Sequence, residues 1–276
     1  MTITRQLYLV LILVGSFAAP LITESAANQK LAEGEYARIN GGHIVEGSNQ
    51  RWVLWRVAGG YLLEDHFQVP LDAKAQMLAD LGSKRSSPQL KKKMETEARA
   101  NELQMKFSAE FRPQQLVVRG NRLLDGRAVE IVTCDIQDRE TLCTGLKGET
   151  RLKSKSPRQF FYSFPFPMLF TPLVRQQGNE SGRRKIDLIA LTSKSVPSGP
   201  ELSESEGELS YAGQESLSLR TSKPAVGKYE ITIVSSSGWL LKATVWASPG
   251  GLVMAMERPG AKERMELIQY KKYGDF

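Results

Sequence analysis

The sequence is poor in the residues from which metal and acyl-transfer sites are built. It has two histidines and two cysteines among 276 residues. Neither His43 nor His66 has a second ligand at a spacing that holds a metal ion. There is no Gly-x-Ser-x-Gly nucleophile elbow and no glycine-rich phosphate loop. We therefore expect no catalytic residues, no cofactor and no metal.

No segment of the chain is a long, unbroken hydrophobic run. The apolar stretch over residues 7–22 is interrupted by glycine, serine and proline, whereas a spanning helix needs about 20 apolar residues. Arg5 precedes this stretch, and small residues follow it up to Ala27, which together are typical of a secretory signal. The pattern predicts a signal peptide over residues 1–27 and a mature chain from Asn28, in the periplasm or secreted. The alternative is that the segment is retained as an N-terminal membrane anchor.

The chain is basic, with a formal net charge of +7. For an exported protein, lipid headgroups or acidic glycans are more natural partners than nucleic acid. The basic clusters also lack the interleaved aromatic residues of a single-strand binder, so no nucleic acid is expected. They form either ordinary solvated surface or contacts with an anionic lipid surface. The candidate contact residues are Lys91, Lys92, Lys93, Arg183, Arg184 and Lys185.

The two cysteines, Cys134 and Cys143, flank a short polar stretch. If Gln137 to Glu140 form a turn, these cysteines lie directly opposite each other on neighbouring strands, within reach of a disulfide. An oxidising compartment would allow the bond to form. We predict the disulfide, and the alternative is two free thiols packed as small hydrophobic groups.

Apolar and polar residues alternate in many short runs separated by glycine. Examples lie at residues 105–111, 229–233 and 241–245. Such alternation indicates strands with one covered face, and short glycine turns indicate antiparallel neighbours. The predicted fold is mainly β, with about a dozen strands in a large curved antiparallel sheet or half-barrel, and with one or two helices as an insertion or plug.

The sequence predicts fewer helices and loops than strands. Spacing of apolar residues predicts helices over 72–82 and over about 88–101. Polar composition predicts loops over 179–185 and 197–208. We expect a single β-rich domain over 28–276, with a helical insertion near 71–101 and a flexible loop near 197–208.

An aromatic segment runs from Phe160 to Phe170, and its prolines make it a poor central strand and a poor helix. It forms either a filling for one end of a curved sheet or the wall of a cavity for an apolar ligand. The candidate wall residues, with two tryptophans from strand-like runs, are Phe160, Phe161, Tyr162, Phe164, Phe166, Met168, Phe170, Trp239 and Trp246.

The runs of strands at both ends of the mature chain resemble those of the bacterial periplasmic lipoprotein-carrier superfamily, the LolA/LolB-like half-barrels. The residues that carry this resemblance are 34–36, 52–61, 228–233, 238–246 and 251–257. The resemblance implies a curved sheet wrapped round helices, with an apolar concavity that shields acyl chains. The lysine-rich stretch over 83–101 and the loop at 197–208 depart from the family's characterised carriers.

We therefore expect an exported, non-catalytic binding or carrier protein for an apolar ligand, such as a lipid or a lipidated protein. The alternative is a structural or interaction protein of the envelope that binds an anionic partner or membrane surface through its basic clusters. A hydrolase with an unrecognised site is a third hypothesis.

Overall fold

The computed structural model describes residues 28–67, 98–122, 127–145, 148–153, 159–162, 166–192, 201–220, 222–235, 240–259 and 263–276. The strands are β1 (Gln29–Asn40), β2 (His43–Ile44), β3 (Gln50–Val57), β4 (Gly60–Phe67), β5 (Ala98–Ser108), β6 (Pro113–Arg122), β7 (Ala128–Ile136), β8 (Glu140–Gly145), β9 (Gly148–Lys153), β10 (Gln159–Tyr162), β11 (Gly182–Thr192), β12 (Glu201–Ser216), β13 (Ala225–Ser235), β14 (Leu240–Ala247), β15 (Val253–Arg258) and β16 (Glu263–Lys272). A 3₁₀ turn (Pro167–Phe170) leads into the helix α1 (Thr171–Gln177).

All the strands belong to one sheet, which consists of two meanders joined side by side. Its order is β10-β11-β12-β13-β14-β15-β16-β1-β3-β4-β5-β6-β7-β8-β9, with β2 paired to β1. Strand β1 lies antiparallel to β16, so the first and last described strands close the seam between the two meanders. Every pair is antiparallel except β10 with β11. This large, open, antiparallel sheet confirms the predicted fold class.

The two edges of the sheet, β9 and β10, are close together. Lys153 at the end of β9 and Gln159 at the start of β10 are six residue steps apart, so they lie within about 20 Å of each other. Residues of β9 also approach β12. The sheet is therefore strongly curled, with a concave inner face.

The two ends of the curled sheet are named here by glycines in their turns. The Gly59 end carries the β3–β4, β5–β6 and β7–β8 turns, and the Gly42 end carries the β1–β2 turn. Gly59 and Gly42 have φ values of 80° and 81°, which side-chain-bearing residues rarely adopt. Glycine is thus required where the chain reverses.

Alternate residues of β3 and β4 point to the inner face, and most of them are buried. On β3 and β4 the buried inner positions include Trp52, Leu54, Leu63 and Asp65. The same alternation continues through β5 to β8 and through β11 to β15. The inner face is apolar at almost every described position.

Residues 166–177, here called the inner segment, fill this concave face. The segment follows β10, which ends at the Gly42 end, and precedes β11, which begins at the Gly59 end. Phe166, Met168 and Leu169 pack in one core cluster with the inner residues of β1 and β3 to β8. Phe170 and Leu173 are among the residues that pack in a second cluster with β11 to β15. Among the described residues, the helix that packs against the concave face is therefore α1.

The predicted cysteine hairpin is confirmed. Cys134 on β7 is paired with Cys143 on β8, and their sulfur atoms form a disulfide. The Gln137 amide donates to the Glu140 carbonyl and closes the turn at 2.8 Å. Both cysteines are fully buried on the inner face.

Several predicted boundaries are wrong. The second predicted helix extends into residues 98–101, which belong to β5, and residues 98–100 pair with positions 120–122 of β6. The strand predicted over 105–111 ends at Ser108, and Phe111 has a φ of 59° in the turn that follows. The remainder of the predicted helical insertion lies outside the described residues.

Two predicted loops contain strand residues. Gly182–Lys185 open β11, and residues 201–208 belong to β12. These residues pair with each other across the hairpin, so backbone pairing outweighs their polar composition. Residues 197–200 lie outside the described part. The single-domain organisation stays a prediction.

Candidate functional site

A polar and aromatic cluster lies on the inner face of β1, β3, β4 and β16. It is here called the Asp65 cluster and consists of Tyr36, Gln50, Trp52, Asp65 and Tyr270. The positions are set by register, because Trp52 is directly opposite both Gly34 on β1 and Asp65 on β4. Tyr270 on β16 is in turn opposite Gly34. A row across three neighbouring strand pairs thus brings these side chains together.

Asp65 is a fully buried carboxyl group in an apolar interior. Gln50 Nε2 donates to its Oδ2 at 2.7 Å, while Oδ1 is buried and has no hydrogen-bond partner in the described part of the chain. Burial raises the pKa of the Asp65 carboxyl well above its ordinary value, against the opposing effect of the Gln50 hydrogen bond. The raised pKa favours the neutral acid, which can donate a hydrogen bond as well as accept one.

Tyr36 is the second fully buried polar side chain of the cluster. Its hydroxyl donates to the carbonyl of Val253 on β15 at 2.6 Å, which joins the two meanders across the interior. Burial raises the pKa of Tyr36, and the nearby Asp65 and Tyr270 raise it further. Tyr36 therefore stays a neutral hydrogen-bond donor.

The Trp52 ring is close to both the buried Tyr36 and the exposed Tyr270. Its ring lies on Gly34, and its Nε1 is buried with no hydrogen-bond partner among the residues that the structure describes. The Trp52 ring centroid is 6.1 Å from that of Tyr270, whose side chain is 42% exposed. Tyr270 is thus the exposed member of the Asp65 cluster.

The inner segment is held at the Gly59 end by Arg175 of α1. The Arg175 guanidinium lies 4.8 Å from the ring centroid of Phe111 and 5.3 Å from that of Phe276. Its Nη2 donates to the backbone oxygen of Phe276 at 2.6 Å. Burial lowers the pKa of Arg175. This arrangement ties α1 to the β5–β6 turn and to the last residue of the sequence.

The structure separates the predicted aromatic wall residues. Phe166, Met168 and Phe170 are buried in the core of the inner face. Trp246 lies on the opposite, outer face, where its Nε1 donates to Glu215 at 2.5 Å and Leu217 and Val226 pack against it. The backbone of residues 160–162 forms part of the edge strand β10. Side-chain positions of Phe160, Phe161 and Tyr162, and all of Phe164 and Trp239, lie outside the described part.

The structure describes only some of the predicted basic contact residues. Arg183, Arg184 and Lys185 are exposed on β11, where Lys185 is directly opposite Glu208 of β12. Arg183 Nη1 is 3.6 Å from a carboxylate oxygen of Glu208. Arg184 donates to the Gln176 side-chain oxygen at 3.1 Å. Lys91, Lys92 and Lys93 lie outside the described residues.

Sequence reasoning missed the Asp65 cluster. The run over 61–66 contains the signal, because Leu63 and Asp65 fall on the same side of an alternating strand. A charged residue at an apolar position of such a pattern indicates a buried polar site. Its partners Tyr36 and Gln50 are distant in sequence and could not be assigned without the register.

Within the part of the chain that the structure describes, no group of three or more His, Cys, Asp or Glu side chains is placed to hold a metal ion. No helix among those residues is long and apolar enough to cross a membrane.

Comparison with known proteins finds similar structures but no matching family. No family model matches the chain, and no curated protein matches it. The β-barrel-like protein of the domain of unknown function DUF1849 from Brucella abortus is similar over 88% of this chain and 98% of its own, with 12% identity and a TM-score of 0.49. A DUF1089 family protein from Pseudomonas aeruginosa is similar over 93% of this chain and 97% of its own, with 13% identity and a TM-score of 0.36. The hypothetical lipoprotein YmcC from Escherichia coli K12 is similar over 88% of both chains, with 10% identity and a TM-score of 0.30.

Proposed function

We propose that this protein is an exported, non-catalytic binding protein of the cell envelope that holds an apolar ligand between its curled sheet and its inner segment. The observation that carries the proposal is the incomplete hydrogen bonding of an otherwise apolar interior. Trp52 Nε1 and Asp65 Oδ1 are both buried, and neither finds a hydrogen-bond partner within the described ranges. An unpaired buried polar group costs about 1–3 kcal/mol, so a ligand that supplies a partner to either atom gains affinity from it.

The inner segment supports this proposal because the stretch of chain that covers the concave face is short. It consists of one 3₁₀ turn and a seven-residue helix. Its C-terminal part is tied at the Gly59 end by Arg175 and by the Tyr229 hydroxyl, which donates to the Gly178 carbonyl at 3.0 Å. Its first residues, Phe166–Phe170, contact mainly apolar side chains. An apolar ligand enters by displacing these residues and replacing their contacts.

Two further observations support export. The buried disulfide between Cys134 and Cys143 is stable in an oxidising compartment and rare in a reducing one. Residues 1–27 have the pattern of a signal peptide, with cleavage after Ala27. The resemblance of the strand runs to the LolA/LolB-like carriers points to the same compartment and to a ligand with acyl chains.

The test is to purify the exported protein and to identify co-purifying lipids by mass spectrometry. We expect an apolar ligand in the wild type and less of it in Asp65→Asn and in Trp52→Phe, which removes the N–H but keeps a ring. The matched control is Asp138→Asn, at an exposed turn position. A protein that carries no lipid, and that also fails to bind a hydrophobic dye, contradicts the proposal.

The alternative, an envelope protein that binds an anionic surface through its basic clusters, is less favoured. On β11, Lys185 is directly opposite Glu208 of β12, and Arg183 lies 3.6 Å from the same carboxylate, so these basic residues do not form a continuous positive patch. The alternative now depends on Lys91, Lys92 and Lys93, which lie outside the described residues.

A further inference from the structure

A second, separate concavity lies on the outer face of β3 to β6. This groove has a volume of about 360 Å³, within the range of small-molecule sites. It is near the Gly59 end, because the β3–β4 turn contributes Ala58. Its lining residues are Asn28, Val57, Ala58, Leu62, Gln104, Lys106, Gln115 and Val117. The groove is thus partly aliphatic and partly polar, and it is on the face opposite to the Asp65 cluster.

The charged side chain among the described lining residues of the groove is Lys106. Lys106 is exposed, and within the described ranges it has no ion pair. Two carboxylates stand beside the groove and already accept hydrogen bonds from amides. Gln104 donates to Glu64 at 3.3 Å, and Gln115 donates to Asp135 at 3.1 Å. Among the lining residues that the structure describes, one is a cation and none is an acid.

Asn28 is one of the residues that line the groove. It precedes Gln29, which pairs with Arg56 on β3, so residue 28 lies beside Val57 at the groove wall. Cleavage after Ala27 makes Asn28 the first residue of the mature chain. Its α-amino group, with an ordinary pKa of about 7.7–8.0, is then largely charged at neutral pH. Processing therefore adds a second cation to a groove that already holds Lys106.

We propose that removal of the signal peptide completes an oxyanion site in this groove, formed by the α-ammonium group of Asn28 and the ammonium group of Lys106. The ligand class is a phosphate or carboxylate attached to an apolar group, because Val57, Leu62 and Val117 offer aliphatic walls beside the two cations. The inference rests on the cleavage that the proposed function includes, but not on the ligand of the inner face.

The test compares three forms of the protein. They are the exported mature chain, a chain that retains Ala26 and Ala27 before Asn28, and the mature Lys106→Gln variant. Lys242→Gln, at an exposed position of β14 outside the groove, is the matched control. Intact mass first establishes the N-terminus of each form. Binding of dihexanoyl phosphatidylglycerol, inorganic phosphate and uncharged dihexanoyl glycerol is then measured by calorimetry.

We expect the mature chain to bind the phosphatidylglycerol most tightly, with inorganic phosphate weaker because it lacks the apolar part. The retained dipeptide and Lys106→Gln should each weaken binding about tenfold or more, since each removes one charge-assisted contact, and Lys242→Gln should not. Equal binding by the mature and extended chains overturns the inference while leaving the proposed function intact. Equal binding of the charged and uncharged probes, or no binding at all, also overturns it. A mature mass that does not begin at Asn28 overturns it together with the cleavage assignment.

Discussion

The indole ring of Trp52 lies directly on Gly34 of the neighbouring strand. A Cβ atom on residue 34 would lie 2.7 Å from Trp52 Cζ2 and 2.9 Å from the Gln269 backbone oxygen. Glycine is therefore required here for close approach rather than for a turn. The contact fixes the Trp52 ring against β1 within the Asp65 cluster.

Gly34→Ala should destabilise the protein by about 1–3 kcal/mol, since the added methyl group displaces the Trp52 ring. Denaturant unfolding measures the change. Gly250→Ala is the matched control, because its new Cβ would find its nearest neighbour 3.9 Å away. Adding Trp52→Leu to Gly34→Ala should recover part of the lost stability. Additive effects of the two substitutions would contradict this explanation.

Loss of the disulfide should also be measurable. Replacing both Cys134 and Cys143 with alanine removes a cross-link over a sequence separation of 9 residues. We expect the free energy of unfolding to fall by about 2–3 kcal/mol on the chain-entropy model. Reductant should destabilise the wild type by a similar amount and leave the double variant unchanged. An unchanged wild type in reductant would show that the bond contributes little.

The disulfide hairpin and the strand alternation could be predicted because both depend on residues close in sequence. The pairing of Cys134 with Cys143 follows from the position of one turn. In contrast, the hydrogen bond from Tyr36 to Val253 joins residues 217 positions apart. The burial of Asp65 and the pairing of β1 with β16 depend on the same long-range closure. Local pattern carries no information about such contacts, so the candidate site could not be assembled from the sequence.

The amino-acid composition led to wrong predictions where a strand is polar on both of its faces. Residues 201–208 are rich in serine and glutamate, yet they belong to β12, which lies between β11 and β13. Backbone hydrogen bonds to two neighbours hold such a strand even when few of its side chains are apolar. The helix predicted to reach residue 101 failed for a related reason, because pairing with β6 determines the conformation of residues 98–101.

Arg175→Ala should loosen the inner segment. The substitution removes the contacts of the guanidinium with the rings of Phe111 and Phe276 and the hydrogen bond to the Phe276 backbone oxygen. We expect a loss of about 1–3 kcal/mol in thermal unfolding experiments. Arg175→Lys should recover only part of it, because an ammonium group lacks the planar face that stacks on aromatic rings. The exposed Arg183→Ala serves as the control and should change stability by less than about 0.5 kcal/mol.

Asp65→Asn should change how stability depends on pH. The unfolded carboxyl has a pKa of about 3.9, and burial raises the folded-state pKa well above that. Between these two pKa values the folded protein keeps a proton that the unfolded chain has released. The free energy of unfolding of the wild type therefore falls as the pH rises through this window, by up to about 1.4 kcal/mol per pH unit.

The neutral asparagine lacks this dependence, so the variant should gain stability relative to the wild type as the pH rises from 4.5 to 7.5. Denaturant unfolding at both pH values measures the difference, and Asp138→Asn should follow the wild type. Parallel pH profiles for the wild type and Asp65→Asn would mean that Asp65 is ionised in the folded protein. A carboxylate in that interior would call for a cationic ligand group, whereas the neutral acid accommodates an uncharged hydrogen-bonding one. The same measurement therefore discriminates between two classes of ligand for the inner face.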